Sequence, residues 1–272
     1  MGPRVTLRFE KYEGLGNDFV VVGAPIDRSL AARICDRHLG VGADGVLIVG
    51  RAPRSMRVIN ADGSEPEMCG NGIRCVALHL LRSGDLSVNE ASDIDTAAGP
   101  HRVRVLEGGS LEERQVEVWM RAPSLAPEAI GLASPRAWRD EAIEVAGRTI
   151  HVTAVSMGNP HAVVFEDVPD AIGPALEGDP RFRDRVNAGL ATLRDGGIDL
   201  RVYERGVGCT RACGTGACAA AVAAVETGRL PRCRAIEVRL PGGALGVVVG
   251  EPGERVRMTG PARHVFSGSI ER

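Results

Sequence analysis

Lysine is almost missing from this chain: Lys11 is the only one among 33 basic residues. A Schiff base with pyridoxal phosphate therefore has a single conceivable anchor. Aromatic residues amount to 3%, too few for the stacking platforms that hold nucleic-acid bases or flavin rings. No net charge of either sign builds up, because the 33 basic residues are intermixed with 35 acidic ones. That excludes the footprint of a nucleic-acid binder and the polybasic patch of a membrane-surface protein. No apolar run approaches the roughly 18 residues that span a bilayer, and the N-terminus lacks the apolar stretch of a signal peptide. The expectation is a cytoplasmic protein whose partners are small molecules, with no nucleic acid and no membrane involved.

Two cofactor readings also fail. Gly40-Val41-Gly42-Ala43-Asp44-Gly45 spells a dinucleotide fingerprint, but it precedes a strand pattern where the fingerprint should follow one and open a helix. Cys209, Cys213 and Cys218 lie close together, yet no second Cys/His pair follows to complete a four-ligand zinc set. Neither a metal nor a cofactor is expected.

What the chain does have is cysteine in an odd number, seven, in a sequence large enough to fold without disulfide staples. Free thiols in a reducing compartment follow. It also has a repeat. Gly16-Asn17-Asp18-Phe19-Val20-Val21-Val22 is echoed by Gly158-Asn159-Pro160-His161-Ala162-Val163-Val164, and Met68-Cys69-Gly70-Asn71-Gly72 by Ala212-Cys213-Gly214-Thr215-Gly216. Asn17 precedes Cys69 by 52 positions and Asn159 precedes Cys213 by 54. Two motifs repeated at nearly one spacing imply two homologous α/β domains related by an approximate twofold axis, with the paired elements meeting between them.

Local patterns fill in the halves. Val46–Val49, Val103–Leu106 and Val116–Met120 read as strands. Ile73–Leu81 and Ala217–Val225, each following a Cys-Gly-x-Gly and ended by Gly84 and Gly228, read as buried helices. Pro123 and Pro127 mark the boundary. The stretch from Gly131 to Asp140 reads only as a loop.

The chemistry centres on the two Cys-Gly-x-Gly elements. Each puts a thiol at a helix N-terminus, where glycines let backbone amides approach an anion and the helix dipole favours thiolate. If both helix starts address one ligand, their amides hold a carboxylate while the two sulfurs flank the neighbouring carbon. One sulfur then removes the α-proton as the other delivers a proton to the opposite face, inverting the centre without a carbonyl cofactor. The weak acidity of that carbon calls for a dry, closed site. Cys35, Cys75, Cys218 and Cys233 read as structural thiols.

Four segments in order, Phe9 to Phe19, Asn60 to Cys75, Gly158 to His161 and Tyr203 to Gly216, resemble the diaminopimelate epimerase family. The resemblance implies an α/β (α+β) fold of two pseudo-twofold-related domains, each a mixed β-sheet or barrel wrapped around a central helix, with the active site in the interdomain cleft. It implies domains at 1–120 with 263–272, and at 121–262. It further implies interconversion of LL- and meso-diaminopimelate in the synthesis of lysine and peptidoglycan precursors, without cofactor, and a possible homodimer. By the same resemblance Cys69 works with His161 and Cys213 with Glu204. Asn17, Asn60, Asn159, Asn187 and Arg205 bind substrate, Arg205 at the distal carboxylate, and the amides of Gly70, Asn71, Gly214 and Thr215 hold the proximal one. Two departures stand out: Gly208-Cys209-Thr210 where the family usually has Gly-Glu-Thr, and Asn187-Ala188-Gly189-Leu190 in place of Asn-Val-Glu-Phe. Proline and hydroxyproline racemases are competing readings of the same fold, disfavoured by Asn71 and by the Glu204-Arg205 pair. A histidine racemase, or a binding protein that has lost catalysis, would also be compatible with these motifs.

Overall fold

The computed structural model describes residues 6–271, so residues 1–5 and 272 of the expected first domain lie outside the described residues. The chain divides into two compact units, Met1–Val118 with Thr259–Arg272, and Trp119–Met258. These changes fall inside strands, whereas the proline pair suggests a break just past residue 120.

In the first unit the order is β1 (Thr6–Gly14), β2 (Asn17–Val22), α1 (Arg28–Cys35), β3 (Gly45–Arg51), β4 (Arg54–Asn60), α2 (Gly70–Arg82), β5 (Ala91–Thr96), β6 (Gly99–Val105) and β7 (Glu113–Trp119). The second holds α3 (Pro127–Ile130), β8 (Glu141–Val145), β9 (Arg148–Ser156), β10 (Pro160–Val164), α4 (Ile172–Glu177), β11 (Asn187–Arg194), β12 (Gly197–Glu204), β13 (Gly208–Thr210), α5 (Gly214–Glu226), β14 (Ala235–Leu240) and β15 (Gly243–Val248). A last strand, β16 (Arg257–Glu271), returns the chain to the first unit and pairs antiparallel with β1.

The repeat seen in the sequence recurs as topology. In the first unit β1–β2 is antiparallel, β2–β3 parallel, β3–β4 antiparallel, β4–β5 parallel and β5–β6 antiparallel. The second unit runs through the same alternation with β9–β10, β10–β11, β11–β12, β12–β14 and β14–β15. Each sheet is therefore mixed, and each wraps a helix: α2 packs on β1, β2, β3, β4 and β6, and α5 on β9, β10, β11, β12, β14 and β15. In the first unit β16 lies between β7 and β1 and closes the ring. The expectation of a mixed sheet around a central helix holds in each unit.

A helix enclosed by strands must be apolar nearly all round, and α5 is. Every residue from Gly216 to Val225 is buried, and the run is built of glycine, alanine, valine and one cysteine. Small side chains let the surrounding strands come close, and the unit compensates with branched residues on the strands, such as Ile150, Val152, Val164 and Ile198, all inaccessible. The α2 helix is bulkier and its buried face includes one charge, Arg74. Residues 131–140 are irregular, but Leu132 and Trp138 are buried, and Trp138 packs edge-on against Phe182 with centroids 5.7 Å apart. Cys35, Cys75 and Cys218 are buried as expected of structural thiols, whereas Cys233 is exposed at a positive φ of 59° in a turn. The turn gives its side chain no core to enter.

Ala221→Leu probes the enclosed helix. It barely alters helix propensity, but extra methylenes with no room should cost about 1–3 kcal/mol by overpacking. Urea unfolding measures this, and stability within about 0.5 kcal/mol of the wild type would contradict a closely packed α5.

Candidate active site

Both motif cysteines occupy one structural position. Cys69 is the N-cap of α2 and Cys213 of α5, with extended backbone at φ −135°, ψ 112° and φ −127°, ψ 107°. Each sulfur takes the place of the usual capping oxygen. Cys69 Sγ accepts from the Gly72 amide at 3.3 Å, and Cys213 Sγ from the Gly216 amide at 3.4 Å. The third residue after each cysteine is glycine, with the space taken at Gly216 and tight at Gly72. A Cβ on Gly216 would lie 2.9 Å from Val202 Cγ2 and 3.2 Å from Cys213 Sγ, and one on Gly72 would lie 3.1 Å from Leu47 Cδ2. The first-turn amides of Gly70 and Asn71, and of Gly214 and Thr215, lie where a helix has no internal acceptor for them.

In the first unit, Asn17 begins β2 directly after the turn at Leu15 and Gly16, both at positive φ. Its Nδ2 donates to Asp44 Oδ2 at 2.8 Å, and its Oδ1 accepts from Asn71 Nδ2 at 3.3 Å. Behind Asp44 and Asp18 stand Arg37 and the single lysine. Arg37 pairs with Asp44 at 2.7 Å and Asp18 at 2.8 Å, and Lys11 pairs with Asp18 at 2.5 Å. Asn60 ends β4 and donates to Ser64 Oγ at 2.9 Å. The structure thus links Asn17 with Asn71 and leaves Asn60 in its own turn.

The second unit repeats the plan with other side chains. Asn159 Nδ2 donates to Thr215 Oγ1 at 3.3 Å, and Asn159 Oδ1 accepts from His161 Nε2 at 3.1 Å. Cys213 Sγ lies 3.5 Å from Thr215 Oγ1. Thr210 donates to Glu204 Oε1 at 2.6 Å. Asn187, opposite His161 in the β10–β11 register, is 4% exposed and works as a staple. Its Nδ2 donates to the Pro160 carbonyl at 2.8 Å, and its Oδ1 accepts from the Arg205 amide at 3.0 Å. The Arg205 guanidinium is exposed and donates to the Asp184 carbonyl at 3.1 Å. Sequence reasoning misses Asp44, Thr210 and Arg74. For Arg74 a signal is present, a lone charge inside an apolar helix.

The electrostatics correct one expectation. A cysteine at a helix start is expected to be acidified, but burial pushes the Cys213 thiol up, and the Glu204 carboxylate adds to the rise against Thr215 and the Gly216 amide. Magnitudes decide it. A helix dipole is worth about 0.3–1 kcal/mol, less than one pKa unit at about 1.4 kcal/mol, whereas full burial shifts a group by up to about 3–5 units. Cys213 rests as a thiol. His161 is 2% exposed, and burial, with Arg205 nearby, depresses it to about 3. It is therefore neutral. Since Nε2 is the donor to Asn159, Nδ1 keeps its lone pair.

This depression has a sign. The unfolded histidine, at 6.5, binds a proton that the folded one refuses until about 3. Stability should therefore fall as pH drops through that window. Other groups titrate there too, so the expected observation is a difference: His161→Gln loses less stability than the wild type between neutral pH and pH about 4 in urea titrations. Equal losses would show that His161 is not buried neutral.

A family model for diaminopimelate epimerase matches residues 9–123 and 153–265. The diaminopimelate epimerase of Desulforudis audaxviator is 46% identical over 282 residues, covering 98% of this chain and all of that protein. That of Moorella thermoacetica is 45% identical over 283 residues, covering 97% and 99%. Among solved structures, a phenazine biosynthesis protein of the PhzF family from Bacillus anthracis superposes with a TM-score of 0.69 at 15% identity, covering 98% of this chain and 99% of that one. A hydroxyproline epimerase from Agrobacterium vitis gives 0.66 at 15%, covering 98% and 92%. At such identities these two share the fold alone. With the model matched over most of its length and relatives almost half identical from end to end, the chain belongs to the diaminopimelate epimerase family.

Proposed function

We propose that this chain interconverts LL- and meso-2,6-diaminopimelate by proton transfer between two thiols, without a cofactor, in the synthesis of lysine and of peptidoglycan precursors. The observation that carries the reading is the duplicated cap: one cysteine at the start of each enclosed helix, its sulfur fixed by the amide three residues on. In the reaction one sulfur, as thiolate, takes the α-hydrogen of one epimer and becomes a thiol. The other thiol gives its proton to the opposite face of the same carbon and becomes the thiolate. The electron pair of the broken C–H bond becomes that of the new one, so no oxidant or carrier enters. Cys213, held protonated by burial and by Glu204, suits the acid's part in the resting enzyme. The base's part then falls to Cys69.

The remaining residues bind and orient. The first-turn amides of Gly70, Asn71, Gly214 and Thr215 suit the carboxylate beside the reacting carbon, where donors fixed in a desolvated site stabilise charge as it develops. Neutral His161 partners Cys69, and Glu204, held by Thr210, partners Cys213. Asn17, Asn60 and Asn159 bind the substrate, and Asn187 sets the Glu204-Arg205 corner. Arg205 grips the distal carboxylate. The same reading puts the enzyme in the cytoplasm as a homodimer.

Purified chain, free of pyridoxal phosphate and treated with EDTA, should turn LL-diaminopimelate into the meso form. Cys69→Ala and Cys213→Ala should each lower the rate by roughly 100- to 10,000-fold while circular dichroism stays unchanged. Near-normal epimerisation by either variant would refute the two-thiol mechanism.

Arg205→Lys keeps the charge and loses the planar fork. It should lower kcat/KM for diaminopimelate roughly 10- to 100-fold, in line with a lost charged hydrogen bond. Wild-type enzyme that racemises histidine or lysine as well as diaminopimelate would overturn the substrate and leave the thiol chemistry standing.

A further inference from the structure

A fully inaccessible arginine lies under one of the two helix starts. Arg74, five residues after Cys69, is 0% exposed. Arginine is almost never buried completely without specific partners. Its Nε donates to the Pro261 carbonyl at 3.1 Å, Nη1 to the Gly70 carbonyl at 3.1 Å, and Nη2 to Asn71 Oδ1 at 3.0 Å. The guanidinium lies against Gly14, where a Cβ would come 3.1 Å from Nη2 and 3.4 Å from the Pro261 oxygen. A planar, permanently charged fork thus ties the last strand, the end of β1 and the first turn of α2 together.

The second unit has Cys218 at the corresponding place, five residues after Cys213, and the difference has a chemical reason. The residue after the first glycine is Asn71 in one unit and Thr215 in the other. A hydroxyl rotates to donate or accept as its neighbour requires, but a carboxamide has a donor end and an acceptor end that cannot exchange without a flip. With Asn71 Oδ1 taken by Arg74, its Nδ2 is the end that faces Asn17 Oδ1 at 3.3 Å. Asn17 in turn gives its own Nδ2 to Asp44. One guanidinium therefore sets the sense of a run of hydrogen bonds through Asn71 and Asn17, and its bond to the Gly70 carbonyl pins the peptide that leads into the Asn71 amide.

We propose that Arg74 is a positioning residue of the first half-site: it orients the Asn71 carboxamide and the Gly70–Asn71 turn, and keeps a fixed positive charge behind the amides that take a substrate carboxylate. The inference builds on the epimerase reading for its kinetic consequences, but the clamp itself has a readout that needs no substrate. Asn71 precedes Gly72, a pair prone to deamidation. The Gly72 nitrogen attacks the Asn71 side-chain carbonyl carbon, ammonia leaves, and water opens the imide to aspartate or isoaspartate. A clamped carboxamide resists that attack.

The test uses Arg74→Met, Arg74→Lys and Gly14→Ala, each checked for folding by thermal melting. Gly14→Ala keeps the arginine and only crowds it, so it serves even where loss of a buried charge prevents folding. In folded Arg74→Met the KM for LL-diaminopimelate should rise roughly tenfold or more, as when hydrogen bonds to a charged group are lost. Arg74→Lys should fall between, and Gly14→Ala should raise KM by a smaller factor. Peptide mass spectrometry after incubation at mildly alkaline pH should find Asn71 deamidated faster in the folded variants than in the wild type. Folded variants with wild-type KM and wild-type deamidation, losing kcat only in step with folded protein, would overturn the proposal and leave Arg74 a stability residue. Should the wild type fail to turn over diaminopimelate, the epimerase reading fails, and the deamidation rates alone decide the role of Arg74.

Discussion

Each enclosed helix is capped by a sulfur where an oxygen is usual. Capping fixes the thiol by a backbone amide, so its position is set by the helix and not by a flexible side chain. Enclosure by strands then removes water, which raises the cost of ionising Cys213 and gives every nearby dipole more weight. Small residues follow from the same constraint. Gly216 has no room for a Cβ, and the buried run of α5 is built of small side chains because the strands around it lie close.

The frame is duplicated, but its chemical contents have diverged. At matching places stand Asn17 and Asn159, Asn71 and Thr215, Asn60 and Glu204, and Arg74 and Cys218. Backbone roles are kept. The peptide turn that closes with Gly63 donating to the Asn60 carbonyl at 2.9 Å recurs with Val207 and Glu204 at 2.9 Å. Charge is what differs: the second half-site has a carboxylate beside its thiol, while the first has a buried guanidinium beneath its helix start. Two thiols on one backbone plan therefore meet different fields.

Much of this can be read from residues alone, for identifiable reasons. The repeat spacing exposes the duplication, and the helix starts follow from glycines after each cysteine. The thiol's acidity does not follow. The sequence displays the helix end, a small and local effect, but not the degree of burial, which is larger and set by strands such as β9 and β10 that are distant along the chain. Asn187 looks like a ligand on resemblance, yet both ends of its amide engage the backbone. That depends on the β10–β11 pairing, which no local pattern reveals. Arg74 is visible as a charge in an apolar run, but the partner that ties it to the last strand, Pro261, lies far away in sequence.

The proposed reaction requires two thiols, one for each face, that exchange one proton apiece with the same carbon. Epimerisation of LL-diaminopimelate in heavy water, sampled early and resolved by stereoisomer, tests it most directly. Because the sulfur that delivers the new proton has exchanged with solvent, while the sulfur facing the substrate receives the old one, meso product should carry deuterium at the inverted carbon and unreacted LL substrate almost none. Deuterium entering recovered substrate as fast as product would mean that a single base serves both faces, and would rule out the two-thiol reaction.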